Sequence, residues 1–207
     1  MTFAPTALPA WLESVVQKQT WIVPDLVSTD SIVLIDGPRK RGKKTLWANT
    51  LALCIATGRP LPIEAESPQA IMQGPVLYLE EEGTRVATKD RWLKQIKGLG
   101  LSVEACEYLF YSHRVGIRLD DPDWAERIVR FCSENGVITV IIDAFNYTFS
   151  GDENKSSDVK LPLESIRAIR ATGPSVMMVH HVGKSSPAAG KEKEIDMDDR
   201  SRGSTAI

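Results

Sequence analysis

Residues 37–45 read Gly-Pro-Arg-Lys-Arg-Gly-Lys-Lys-Thr, and their spacing is that of an anion cradle. Gly37, Gly42 and Lys43 fill the fixed positions of G-x-x-x-x-G-K-[ST], between a β-branched run and a helical pattern. In such a turn the backbone N–H groups and the positive end of the following helix surround a polyphosphate. Lys43 then reaches the outer phosphates. The expected nucleotide-binding segment is Gly37, Pro38, Arg39, Lys40, Arg41, Gly42, Lys43, Lys44, Thr45 and Leu46. One position departs from the pattern. Lys44 stands where a serine or threonine hydroxyl ligates Mg²⁺, and an ammonium has no lone pair to give a metal. At about 4 Å it would repel a dication by roughly 8 kcal/mol at an effective dielectric of ~20. Thr45 is no simple substitute, because the next helical residue points about 100° further round the axis. Lys40 also occupies a position where a third glycine is often found. The alternative is a basic turn with coincidental glycines, whose cations would bind DNA phosphate directly and lose affinity steeply with salt.

Other residues could complete that chemistry. Asp143 ends the apolar run VITVII, as a Walker B carboxylate does, and is the main candidate for holding Mg²⁺, with Thr45 beside it as the weaker one. Glu80, Glu81 and Glu82 follow the run VLYL. Alternation along a strand puts Glu80 and Glu82 on one face and Glu81 on the other. A carboxylate near a terminal phosphate can orient and deprotonate the attacking water. His180 and His181 close the last apolar run, where imidazole would sense the phosphate, touch nucleic acid, or serve an ordinary strand-end role.

The elements that must position these residues are legible from hydrophobic period. Short runs at 31–36, 76–79, 107–112, 137–142 and 175–179 read as strands, the first as a buried one. Helices are expected near 9–18 and over 44–58, 84–98, 121–135 and 158–171. Trp11 and Trp21 are expected to anchor the lead-in, and Val86, Trp92, Leu93 and Ile96 to form the inner side of the third helix. Residues 145–157 read as a polar loop, and the charged stretch from Lys184 to Gly203 as a mobile one. Strands alternating with helices predict an α/β fold, a mostly parallel sheet with helices on both faces. Ligands of such sheets bind beyond the carboxyl ends of the strands, where Gly37, Glu80–Glu82, Asp143 and His180 all fall.

Bulk composition narrows the class. At 207 residues the chain has room for one substantial core, and its net charge of −2 advertises no global attraction to nucleic acid or membrane. No segment reaches the roughly 18 apolar residues of a membrane span. The three cysteines are widely spaced and odd in number, which reads as free thiols in a reducing compartment, hence a cytoplasmic protein.

Taken together, these stretches resemble the RecA-like P-loop ATPases of the plasmid-replication RepA helicase group. The resemblance runs from Trp21 to Ile207 through WIVPDLVSTDSIVLIDGP, LALCIATGRP, GPVLYLEEE, VIIDAFNYTFSGDEN, VMMVHHVGK and the closing RGSTAI. It implies a single RecA-like domain over 1–207, with 1–30 as a lead-in. It further implies ATP and Mg²⁺ as ligands, a ring-shaped homo-oligomer, usually a hexamer, and single-stranded DNA as partner. By motif position, Lys43 would bind the phosphates, Glu82 would be the catalytic base and Asp143 the Walker B acid. His180 and His181 would couple the terminal phosphate to DNA, and Lys184 or Arg202 would reach a neighbouring subunit's nucleotide. The chain ends at Ile207, where the group continues into further strands, so a sheet lacking an edge is expected.

Three readings stay open on sequence: an ATP-driven motor on DNA, a non-hydrolysing module that holds nucleotide or DNA, and a small-molecule kinase. Lys44 motivates the second. No lid segment with clustered arginines supports the third.

Overall fold

The computed structural model describes residues 5–14, 19–36, 43–63, 69–152 and 155–180, apart from the side chains of Lys43 and Lys44. Helix α1 (Leu8–Glu13) comes first, then a two-stranded antiparallel hairpin, β1 (Trp21–Val23) and β2 (Val27–Ser28). The remaining chain alternates β3 (Ile32–Ile35), α2 (Lys43–Thr57), β4 (Val76–Glu80), α3 (Arg85–Gly98), β5 (Leu109–His113), α4 (Pro122–Asn135), β6 (Thr139–Asp143), α5 (Ser156–Arg170) and β7 (Ser175–Val179). Single 3₁₀ turns lie at Glu104–Cys106 and Phe145–Tyr147.

The five longer strands form one sheet in the order β3-β7-β6-β4-β5, parallel at every pairing. β4, β6 and β7 are buried along their whole length, as unbroken apolar runs in a doubly covered sheet must be. Their two faces feed two cores. Tyr78, Ile141 and Met177 pack with Leu51, Cys54 and Ile55 of α2, while Leu79, Ile142 and Met178 pack with Ile128 and Cys132 of α4 and Ile166 of α5. The fold is the α/β, helix-flanked parallel sheet that the sequence predicts.

Helix ends follow local chemistry. Pro122 opens α4 directly after Asp121, whose carboxylate accepts the Asp123 amide at 3.1 Å. Gly136 ends it in the left-handed region at φ 62°, where its amide donates to the Cys132 carbonyl.

Several expectations are corrected. β3 is an edge strand rather than a buried one, with Ile32 and Leu34 partly exposed, because β7 is its one partner among the described residues. Trp11 and Trp21 do not anchor the lead-in: they are 56% and 39% exposed, α1 buries nothing, and Ile22, Val23 and Val27 enter the core instead. On α3, Val86 and Leu93 face outward, at 81% and 47% exposure. The residues buried on that helix are Thr88 and Gln95. They can turn inward because each finds partners there. Thr88 Oγ1 donates to Glu80, and Gln95 accepts from Asn49 at 2.8 Å and donates to the Leu46 carbonyl at 2.9 Å. The segment read as a loop over 145–157 contains a 3₁₀ turn, packs Phe145 and Phe149 into the core, and gives way to α5 already at Ser156. All three cysteines are free, with Cys54 and Cys132 buried. No helix among the described residues is long and apolar enough to cross a membrane. The Lys184–Gly203 stretch lies outside the described residues.

Candidate functional site

Sheet order fixes where a ligand can sit. From β4 the chain moves outward to β5, whereas from β6 it moves the opposite way to β7. The loops after β4 and β6 therefore diverge, leaving a crevice at the carboxyl ends of these two neighbours. Register aligns Glu80 with Asp143, and Asp143 with Val179, which in turn pairs with Ile35. The ends of β3, β4, β6 and β7 thus share one row.

Asp143 is buried in that row, at 2% exposure. Its Oδ2 accepts the Tyr78 hydroxyl at 2.8 Å, while Oδ1 is buried with no hydrogen-bond partner among the described residues. Burial pushes the Asp143 carboxyl above the usual carboxylate range. The Tyr78 hydrogen bond opposes that rise and the charge of Glu80 adds to it; more weakly, the Thr45 hydroxyl opposes it and Glu82 adds to it. The Thr45 hydroxyl, in the first turn of α2, is near enough to bear on the Asp143 carboxyl despite its rotation away from position 44. Register puts Glu80 on the Asp143 side of the sheet, and the charge of Glu82 also bears on that carboxyl. The charges of Glu80 and Glu82 oppose ionisation of Asp143 at this reduced dielectric.

The three glutamates have separate surroundings. Glu80, 1% exposed, accepts Thr88 Oγ1 at 2.8 Å and the Tyr111 hydroxyl at 2.7 Å, with Arg91 at 3.7 Å. Both of its oxygens are engaged, so it serves as an internal brace between β4, β5 and α3. Glu81 turns to the other face, where its carboxylate accepts the amides of Val115, Gly116 and Ile117 at 3.1–3.3 Å. It clasps the loop after β5. Glu82 is half-buried, follows the end of β4, and bears on Asp143 through its charge. Glu80 and Glu81 part as strand alternation predicts.

His180 is buried at 9% exposure, and its amide donates to the Ile35 carbonyl at 2.9 Å, tying the end of β7 to β3. Lys43 and Lys44 are the first two residues of α2, whose first turn carries no acidic residue, and Leu46 is half-exposed one turn later. Gly37, Pro38, Arg39, Lys40, Arg41, Gly42, His181, Lys184 and Arg202 lie outside the described residues. Among the described residues no group of three or more His, Cys, Asp or Glu is placed to hold a metal ion.

Sequence reasoning overlooked the residues that hold the acids. Tyr78, Tyr111, Thr88 and Arg91 carry no motif that marks them as partners of the acids. One signal was available: Tyr78 shares the face of Glu80 by period two, and a fully buried tyrosine hydroxyl needs a partner.

Compared with known families, residues 3–187 match the model described as an AAA domain. No curated protein matches the chain.

Proposed function

The chain belongs to the AAA domain family, a P-loop nucleotide-binding fold, and from that premise we propose that it binds ATP with Mg²⁺ and hydrolyses it as a motor on single-stranded DNA. The observation that supports this most is Asp143. Its Oδ1 is buried without a hydrogen-bond partner among the described residues, beside Thr45 and within electrostatic reach of Glu82. A carboxylate oxygen and a hydroxyl are hard oxygen donors of the kind Mg²⁺ takes, and Mg²⁺ at ATPase sites rests on one or two such groups plus the phosphates. The residues present therefore fit the ion, with Asp143 and Thr45 as its holders. When bound, Mg²⁺ neutralises charge developing on the transferred phosphoryl group.

The protein groups divide the remaining work. The turn from Gly37 to Gly42 and the start of α2 bind the phosphate chain through amides, and Lys43 neutralises its outer oxygens. Glu82 orients the attacking water and takes its proton on a carboxylate oxygen. Glu80, held by Thr88 and Tyr111, braces the end of β4 against α3 and β5. His180 and His181 respond to the terminal phosphate, and Lys184 or Arg202 completes the site of a neighbouring subunit in a ring. The DNA and ring parts of this reading rest on the likeness to the RepA helicase group.

Turnover measured with and without single-stranded DNA tests the proposal. Glu82→Gln and Lys43→Ala are expected to abolish DNA-stimulated hydrolysis. A wild-type rate no higher than that of these variants removes the motor reading.

Lys44 favours a second reading, a module that holds nucleotide without turnover. On that reading Lys44→Thr raises Mg²⁺-dependent hydrolysis from a low base. Equal rates before and after the change argue against it.

A further inference from the structure

A groove of about 520 Å³ lies between α3 and the outer edge of β5, within the roughly 300–1,000 Å³ of small-molecule sites. Its two ends differ because α3 runs antiparallel to the strand. Thr88 meets Glu80, which is in register with His113 at the carboxyl end of β5. One turn later Trp92 packs edge-on against Tyr111, two residues back along the strand. Arg85, Thr88, Lys89 and His113 therefore line the groove at one end, and Leu93, Ile96 and Val103 line it toward the other. Between them Trp92, Tyr111 and His113 form a row of rings, with centroids 5.6 Å and 6.3 Å apart.

The polar end carries one sign of charge. No acidic residue lines the groove, and the first turn of α3 has none to offset the positive helix terminus. Neither Arg85 nor Lys89 forms an ion pair among the described residues, whereas Arg91, further along α3, lies 3.7 Å from Glu80. The Nε2 atom of His113 is buried with no hydrogen-bond partner among the described residues. A flat apolar body with a carboxylate head matches this gradient: rings pack on Trp92 and Tyr111, and the head meets unpaired cations. A nucleobase fits less well, because its polar edges would enter the apolar end, where Leu93, Ile96 and Val103 offer no side-chain hydrogen bond.

We propose that the α3–β5 groove is a binding site for a small aromatic carboxylate, its rings lying along Trp92 and Tyr111 and its carboxylate facing Arg85, Lys89 and His113. The site uses neither the phosphate turn nor Asp143, so it does not depend on nucleotide binding or turnover. Its occupant would still abut the brace at the end of β4, since Thr88 and Tyr111 both line the groove and both donate to Glu80.

Two probes that differ in charge test the site: 2-naphthoate, and 2-naphthalenemethanol, which keeps the rings and loses the carboxylate. Each is titrated into isotopically labelled protein and followed by NMR at the indole N–H signals of the five tryptophans. Naphthoate is expected to move the Trp92 signal and leave Trp11 and Trp124 still, with a Kd of about 0.1–1 mM. The alcohol should bind the same place at least about threefold more weakly. Arg85→Ala with Lys89→Ala should erase that preference, bringing naphthoate down to the level of the alcohol without changing the alcohol itself. Leu93→Asp, at an exposed position, should weaken both probes; should it lower the melt, Val103→Asp, at 57% exposure, replaces it. A Trp92 signal that stays still at millimolar naphthoate overturns the proposal. So does an alcohol that binds as tightly as the carboxylate, a doubly substituted protein that keeps the preference, or an apolar-wall variant that binds both probes like the wild type.

Discussion

Replacing Tyr78 by phenylalanine deletes one oxygen and little else. The ring is fully buried, packed edge-on against Trp92 at 5.2 Å and tilted against Tyr111 at 5.9 Å, and phenylalanine keeps both contacts. What disappears is the 2.8 Å hydrogen bond to Asp143 Oδ2, leaving a buried carboxylate whose other oxygen already has no hydrogen-bond partner among the described residues. A hydrogen bond to a charged group contributes about 1.5–3 kcal/mol, and one to a neutral group about 0.5–1.5 kcal/mol. The loss should therefore depend on whether Asp143 is ionised. Its carboxyl titrates higher in the folded chain than in the unfolded one, burial being the main cause. Its contribution to stability is fully present below the unfolded value and is lost as pH rises through the folded value. Removing the Tyr78 donor raises the folded value further, so the variant's extra deficit appears only where wild-type Asp143 is charged. Urea unfolding of the nucleotide-free protein, followed by tryptophan fluorescence, is expected to show a deficit of about 1.5–3 kcal/mol at neutral pH. On the acid side, where the carboxyl is protonated in both proteins, it should shrink to about 1 kcal/mol. A deficit that is flat with pH, or below about 0.5 kcal/mol at neutrality, would refute the claim that Tyr78 stabilises the charged form of Asp143.

Gly74→Ala is expected to cost about 1–3 kcal/mol in the same assay, because a Cβ there meets Ile138 Cδ1 at 2.6 Å, and Ile138→Val should return part of the loss. Glu81→Gln weakens a clasp on three amides, and hydrogen exchange should speed up at Val115, Gly116 and Ile117 while the amides of β6 stay protected. Burial pushes the Cys54 and Cys132 thiols up to about 11, so alkylation of the folded protein at mildly alkaline pH should modify Cys106 first and the other two only on unfolding, as read by mass spectrometry.

How much of this was legible in the sequence depends on which period carried the information. β4, β6 and β7 announce themselves as continuous apolar runs, since both faces of a central parallel strand are buried. β3 carries the same kind of run yet lies at an edge, because composition reports that a strand fits a sheet and not where in the sheet it pairs. α3 misled for the opposite reason. Its inner face is built on Thr88 and Gln95, which no apolar period marks, and its conspicuous Val86 and Leu93 look outward. Polar residues turn inward only where partners wait, and those partners, Glu80 and Asn49, come from other elements.

The acidic triplet shows the same logic at the site. Period two alone separates Glu81 from its neighbours, and it duly reaches the loop at 115–117 instead of Asp143. Period two puts Glu80 and Glu82 on one face and so cannot separate them. What divides them is depth: Glu80 still lies within β4, under α3, where Thr88, Tyr111 and Arg91 surround it, whereas Glu82 lies beyond the strand end. A carboxylate whose two oxygens are both held by neighbouring side chains is poorly placed to accept a proton from water. That difference in surroundings, rather than any difference in residue type, is why Glu82 and not Glu80 is the base to test.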